Sequence, residues 1–248
     1  MPKREKQKGR GIYFYPNLIT TAGLFAGFYA VIAAIRGDFE SAAIAIFIAM
    51  IMDGLDGRIA RMTNTQSDFG AEYDSLADMV SFGLAPALVI FQWSLIDMGK
   101  VGWMVAFVYA ACGALRLARF NTQIGIEDKR YFQGLPSPAA AACLAGWVWA
   151  GTSNGVAPSV MIAVALPLTF FCGLLMVSTV RYYSFKELDL HGKVPFVVML
   201  ALVLVFALIA TDPPLILFSI FVLYALSGPV FTIIKLRQHR SERQQDKE

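Results

Sequence analysis

The chain has 248 residues, 57% of them hydrophobic and 16% charged, with a mean hydropathy of +0.57 and a net charge of +3. A soluble domain of this length carries about 25% charged residues. The composition therefore excludes an ordinary soluble enzyme, and the small net charge gives no footprint for nucleic acid. Long apolar runs recur throughout, which predicts an all-α, polytopic transmembrane helical bundle.

The chain opens on Met-Pro-Lys-Arg-Glu-Lys-Gln-Lys-Gly-Arg, and Tyr13, Phe14 and Tyr15 then suit an interfacial aromatic belt. The apolar run from about 18 to 35 is too long for a signal-peptide core and reads as a retained first span. Further apolar segments follow at about 40–62, 70–95, 101–120, 137–153, 157–180, 194–211 and 214–234. The expectation is about eight spans, in a range of six to eight because some segments are short or interrupted by proline. Residues 1–248 form one integral-membrane domain, with a polar and interfacial N-terminus over 1–16 and a polar, frayed tail over 236–248. With eight spans, every lysine and arginine except Arg36 and Lys100 falls on the side that holds both termini. The positive-inside rule makes that side cytoplasmic. Cys112, Cys143 and Cys172 lie far apart in apolar runs and read as buried packing thiols.

The second and third segments carry the chemistry. Asp53-Gly-Leu-Asp56-Gly-Arg-Ile-Ala-Arg61 is followed by Gly70-Ala-Glu-Tyr-Asp74-Ser-Leu-Ala-Asp78. An aspartate at mid-bilayer costs roughly 2.5–3.5 kcal/mol. Asp53 and Asp56 are three apart and Asp74 and Asp78 four apart, so each pair occupies one helix face. The polar turn 63–69 joins the two helices, with Ser67 or Asp68 as N-cap. Antiparallel helices then bring both pairs to a similar depth near the cytoplasmic surface. Clustered carboxylates repel one another without a cation. Oxygen-only ligands favour Mg²⁺ or Mn²⁺ over zinc, and His191 and His239 lie elsewhere. Two such ions would neutralise the cluster and clamp a pyrophosphate. A salt-bridged packing cluster is the plainer alternative, but buried ion pairs stabilise weakly. A cation transporter is a remoter one, since it favours acids at the midplane and repeated broken helices.

The pattern D-x2-D-G-x2-A-R-x8-G-x3-D-x3-D, met at every fixed position from Asp53 to Asp78, resembles the signature of the CDP-alcohol phosphotransferases. The resemblance implies transfer of a phosphoryl-linked group from a CDP-activated donor to an alcohol. It also implies two divalent ions held by Asp53, Asp56, Asp74 and Asp78, with Asp78 also the general base. Gly57, Ala60, Arg61 and Gly70 would contact the CDP moiety, and Pro16-Asn17 is similar to an early element of the family, which adds Asn17 to the donor site. Phe69–Pro86, Arg116-Leu-Ala-Arg-Phe-Asn121 and Phe132-Gln-Gly-Leu-Pro-Ser-Pro138 look like the serine-using branch, the CDP-diacylglycerol–serine O-phosphatidyltransferases. That implies CDP-diacylglycerol and L-serine as substrates, phosphatidylserine and CMP as products, membrane lipids as surroundings and a homodimer in the cell membrane. Glycerol phosphate, inositol phosphate and choline are the alternative acceptors. Arg116, Arg119 and Asn121 are candidates for acceptor binding, one arginine taking the serine carboxylate. The Arg116–Arg119 pair is equally read as positive-inside anchoring.

Overall fold

A computed structural model describes residues 14–63, 67–123, 131–183 and 196–245. Helices cover α1 (Phe14–Ile35), α2 (Phe39–Met62), α3 (Asp68–Met98), α4 (Lys100–Gln123), α5 (Ser137–Ser153), α6 (Pro158–Val177), α7 (Phe196–Thr211) and α8 (Pro213–Gln245). Each overlies one of the eight apolar segments. Five of them (α1, α3, α4, α6 and α8) contain stretches long and apolar enough to cross a membrane. The protein is an all-α polytopic helical bundle.

The turn between α1 and α2 shows why the first two helices pair. Gly37 has φ of 79° and closes α1: its N–H reaches Ala34 O (3.0 Å), and the Asp38 N–H reaches Ala33 O (2.9 Å). This is the paired-bond C-terminal cap that favours glycine. Asp38 Oδ1 then accepts from the Ser41 N–H (3.1 Å) and starts α2. Hydrogen bonds from the Ser41 side chain and backbone hold the Asp38 carboxyl below its usual pKa range. The two helices meet through Ala30, Ala33 and Ala34 on α1 and Ala42, Ala45 and Ala49 on α2, all buried. Small side chains let the backbones approach closely.

Helix α3 starts on Ser67, whose Oγ accepts from the Gly70 N–H (3.0 Å), one of the two caps the sequence offers. It is not a uniform α-helix. Wider π-helical turns occupy Met79–Leu84 and Phe91–Leu95, and a 3₁₀ turn closes it at Ile96–Met98. Pro86 has no N–H to offer the preceding turn. The Phe82 carbonyl there accepts instead from Tyr109 Oη on α4 (3.1 Å). Helix α5 is the central rod, buried along most of its length and packed by α2, α3, α6 and α8. Its alanine run 139–142 and Gly146, set against the Phe218 backbone, keep its neighbours close. Cys112, Cys143 and Cys172 are free and buried, as packing thiols should be.

Two features differ from the sequence expectation. Stretches read as loops contain a two-stranded antiparallel ribbon, β1 (Tyr131–Gln133) and β2 (Arg181–Tyr183), with Phe132 opposite Tyr182. Such short strands join segments about fifty residues apart and leave no local periodicity to read. Gly134, with φ of +80°, follows β1, and a side chain there would run into Met176 O. Helix α8 also continues to Gln245, through the stretch expected to fray. Its run of arginine, glutamine and glutamate has good helix propensity, so the helix outlasts its apolar part.

Candidate active site

The aspartates of α2 and α3 converge on one cleft. One carboxylate oxygen each from Asp53, Asp56 and Asp74 lies within 4.8 Å of the others. Asp78 lines the same cleft, one turn further along α3, beside Thr20, Gly23 and Ser81, over an apolar floor of Leu24, Ala49, Ala77 and Phe82. The space enclosed is about 190 Å³. Asp56 is buried, while Asp53, Asp74 and Asp78 are half-buried. The charges of Asp53, Asp74, Asp56 and Arg116 all reach Asp78. Three mutually close carboxylates with an all-oxygen donor set fit a hard divalent cation.

The polar end of α1 completes the wall. Thr20 Oγ1 donates to Asp56 Oδ2 (2.6 Å), and both residues are buried. Thr21 Oγ1 shares a hydrogen bond with Tyr73 Oη on α3 (2.8 Å) and donates to Asn17 O (2.7 Å). Asn17 Oδ1 would stand 3.5 Å from a side chain at Gly70, so this candidate pair lies together at the mouth. Gly57 and Ala60 are half-buried on α2 near Asp56, and Arg61 is on the same helix, its side chain outside the described residues.

The acceptor candidates separate. Asn121 exchanges hydrogen bonds with Ser75, the neighbour of Asp74 (3.1 and 3.2 Å). Arg116 is buried, and its Nη1 donates to Ser137 Oγ (2.9 Å). Arg119 instead donates to four backbone carbonyls: Val177 (3.0 Å) from Nη1, and Gln133 (3.0 Å), Met176 (3.3 Å) and Ser178 (3.4 Å) from Nη2. It ties the end of α6 to the ribbon. Thr20, Thr21, Ser75 and Ser137 were not singled out from sequence. Asn17, Thr20 and Thr21 did carry a signal, since polar residues at i, i+3 and i+4 mark one face of an otherwise apolar span.

Residues 13–171 match the family model for CDP-alcohol phosphatidyltransferase. The chain belongs to this family. Relatives include a Helicobacter pylori J99 protein, 34% identical over 225 residues that cover 91% of this chain and 94% of the relative. A Bacillus subtilis relative is 34% identical over 70% of this chain and 92% of its own length. One from Methanocaldococcus jannaschii is 39% identical over 57% of this chain and 63% of its own. Each of the three is named CDP-diacylglycerol–serine O-phosphatidyltransferase.

Proposed function

We propose that the chain transfers the phosphatidyl group of CDP-diacylglycerol to the hydroxyl of L-serine, releasing CMP and forming phosphatidylserine. The observation that carries the reading is the cleft built from four aspartates on α2 and α3, in a member of a CDP-alcohol family. The names of the relatives support serine as acceptor.

Asp53, Asp56, Asp74 and Asp78 would hold two divalent ions, Mg²⁺ or Mn²⁺, which when bound supply charge neutralisation for the pyrophosphate. Gly57, Ala60 and Gly70 leave space for the CDP head beside the aspartates, with Asn17 and Arg61 as its polar contacts. Asp78 accepts the serine hydroxyl proton as that oxygen attacks the diacylglycerol-linked phosphorus. The new bond is serine oxygen to phosphorus, and the broken bond joins that phosphorus to the bridging oxygen, which leaves on CMP. The apolar floor of Leu24, Ala49, Ala77 and Phe82 keeps water from the far side of the cleft. Arg116, Arg119 and Asn121 surround the acceptor approach from α4.

The chain is read as a single domain of about eight spans in the cell membrane, acting as a homodimer among membrane lipids. Both termini and the cleft would face the cytoplasm. Arg36 and Lys100 alone among the basic residues fall at the α1–α2 and α3–α4 turns, away from the aspartates, which supports that orientation. The test is CMP release by detergent-purified protein given CDP-diacylglycerol, labelled serine and Mg²⁺ or Mn²⁺. Serine should be converted in preference to glycerol phosphate, inositol phosphate and choline. Faster transfer to any of these would replace serine as the acceptor.

A further inference from the structure

Arg116 is the buried cation among the described residues, 8% exposed on α4. Its Nη1 is held by Ser137 Oγ at the start of α5, and its Nε–H is enclosed without a hydrogen-bond partner among the described residues. Nη1 is the nitrogen on the Cδ side of the guanidinium. Ser137 therefore grips that corner and leaves the Nε–Nη2 edge, whose parallel N–H bonds match the two oxygens of a carboxylate. Burying a guanidinium against one neutral hydroxyl is costly, and a matched anion offsets that cost. The charges that reach Arg116 are Asp78 on α3 and Asp53 on α2, with Arg119 opposing and the Tyr224 phenol of α8 nearby. Arg116 thus lies within electrostatic reach of the group proposed to activate the acceptor hydroxyl.

Charge decides which anion fits. Arg119 points its donors at four carbonyls. One guanidinium then remains on α4, enough for a single negative charge and too little for a phosphorylated alcohol. Building on the reading of the chain as a CDP-diacylglycerol-dependent transferase, the geometry points to Arg116 as the residue that binds the acceptor carboxylate through its Nε–Nη2 edge. Ser137 is its positioning residue. The acceptor class is an alcohol with a carboxylate close to the reacting hydroxyl.

The experiment measures CMP release with purified full-length protein. Wild-type turnover with serine tests the underlying reading, and its absence would count against that reading. Given that turnover, serinamide and ethanolamine, which keep the hydroxyl and amine but lack the carboxylate, should be used on the order of 100-fold less efficiently. Arg116→Lys should raise the KM for serine by roughly 10- to 100-fold while the KM for CDP-diacylglycerol stays near wild type. Ser137→Ala should raise the serine KM by about 10-fold with little change in kcat, a split that a purely structural role would not produce. Thermal midpoint and CDP-diacylglycerol binding check folding. If Arg116→Lys does not fold, the serinamide comparison on the wild type decides. Efficient use of serinamide, or an unchanged serine KM in both folded variants, would overturn the assignment.

Discussion

Replacing Thr20 with valine removes one hydroxyl and leaves almost the same volume. That hydroxyl has one proton and two acceptors within reach, Asp56 Oδ2 at 2.6 Å and Pro16 O at 3.1 Å. The shorter contact to the charged oxygen takes it. Both side chains are buried, so water does not replace the lost donor. A hydrogen bond to a charged group contributes about 1.5–3 kcal/mol, and the short, enclosed geometry argues for the upper half of that range. If the loss falls on the oriented carboxylate, divalent-ion affinity drops roughly 10- to 100-fold, as for other residues that support a metal ligand. The assay is a titration of Mg²⁺ or Mn²⁺ followed both by CMP release and by the ion-dependent rise in thermal midpoint. Thr20→Val should move both midpoints to higher ion concentration together, and Thr20→Ser should restore them. Unchanged midpoints in a folded Thr20→Val protein would refute the claim that Thr20 sets the Asp56 carboxylate.

Asp78→Asn should lower turnover by about 10²- to 10⁴-fold, the range of a general base, while CDP-diacylglycerol binding largely survives; normal turnover would remove Asp78 from that role. Chelating divalent ions should abolish CMP release, and adding Mg²⁺ or Mn²⁺ back should restore it; full activity in chelator would contradict an ion-dependent site. Arg119→Ala should destabilise the protein by on the order of 3 kcal/mol, since it leaves the carbonyls of Gln133, Met176, Val177 and Ser178 without their donor. In the protein that still folds, the serine KM should stay near wild type, measured beside Arg116→Lys. Gly27→Ala places a methyl 2.5 Å from Ser81 Oγ and 2.7 Å from Ser81 Cα, so α1 must shift from α3; thermal midpoint and activity should fall together.

The helices were legible because apolar length and loop punctuation report them directly. The aspartate spacing was legible for a related reason: i,i+3 and i,i+4 separations fix a shared face whatever the tertiary context. Ser67 was legible as a cap from local chemistry alone. What stayed hidden depends on contacts distant in sequence. Arg116 and Arg119 look alike at three residues apart, yet Ser137 takes one and the end of α6 takes the other. The β1–β2 ribbon exists because the chain returns after α6, and its three-residue strands carry no pattern of their own. The π-helical turn after Asp78 is also unmarked locally; it belongs to the packing of Ser81, which reaches Gly23 O at 3.2 Å, against α1.

The small-residue seam between α1 and α2 belongs to the site as much as the aspartates do. A threonine hydroxyl is short and reaches Asp56 only if the two backbones run close together. Gly23 faces this seam, and a side chain there would touch Met52 Cβ at 3.4 Å and Ala49 O at 3.7 Å. The buried alanines further along hold the same spacing to the Gly37 turn. A bulky residue at Ala33 or Ala45 would therefore act at a distance, opening the seam and separating Thr20 from Asp56 without touching the cleft. A buried carboxylate left without its donor bears the full desolvation cost. The fold thus offsets part of the cost of gathering acidic groups in an apolar bundle, and it does so through the closeness of helix α1.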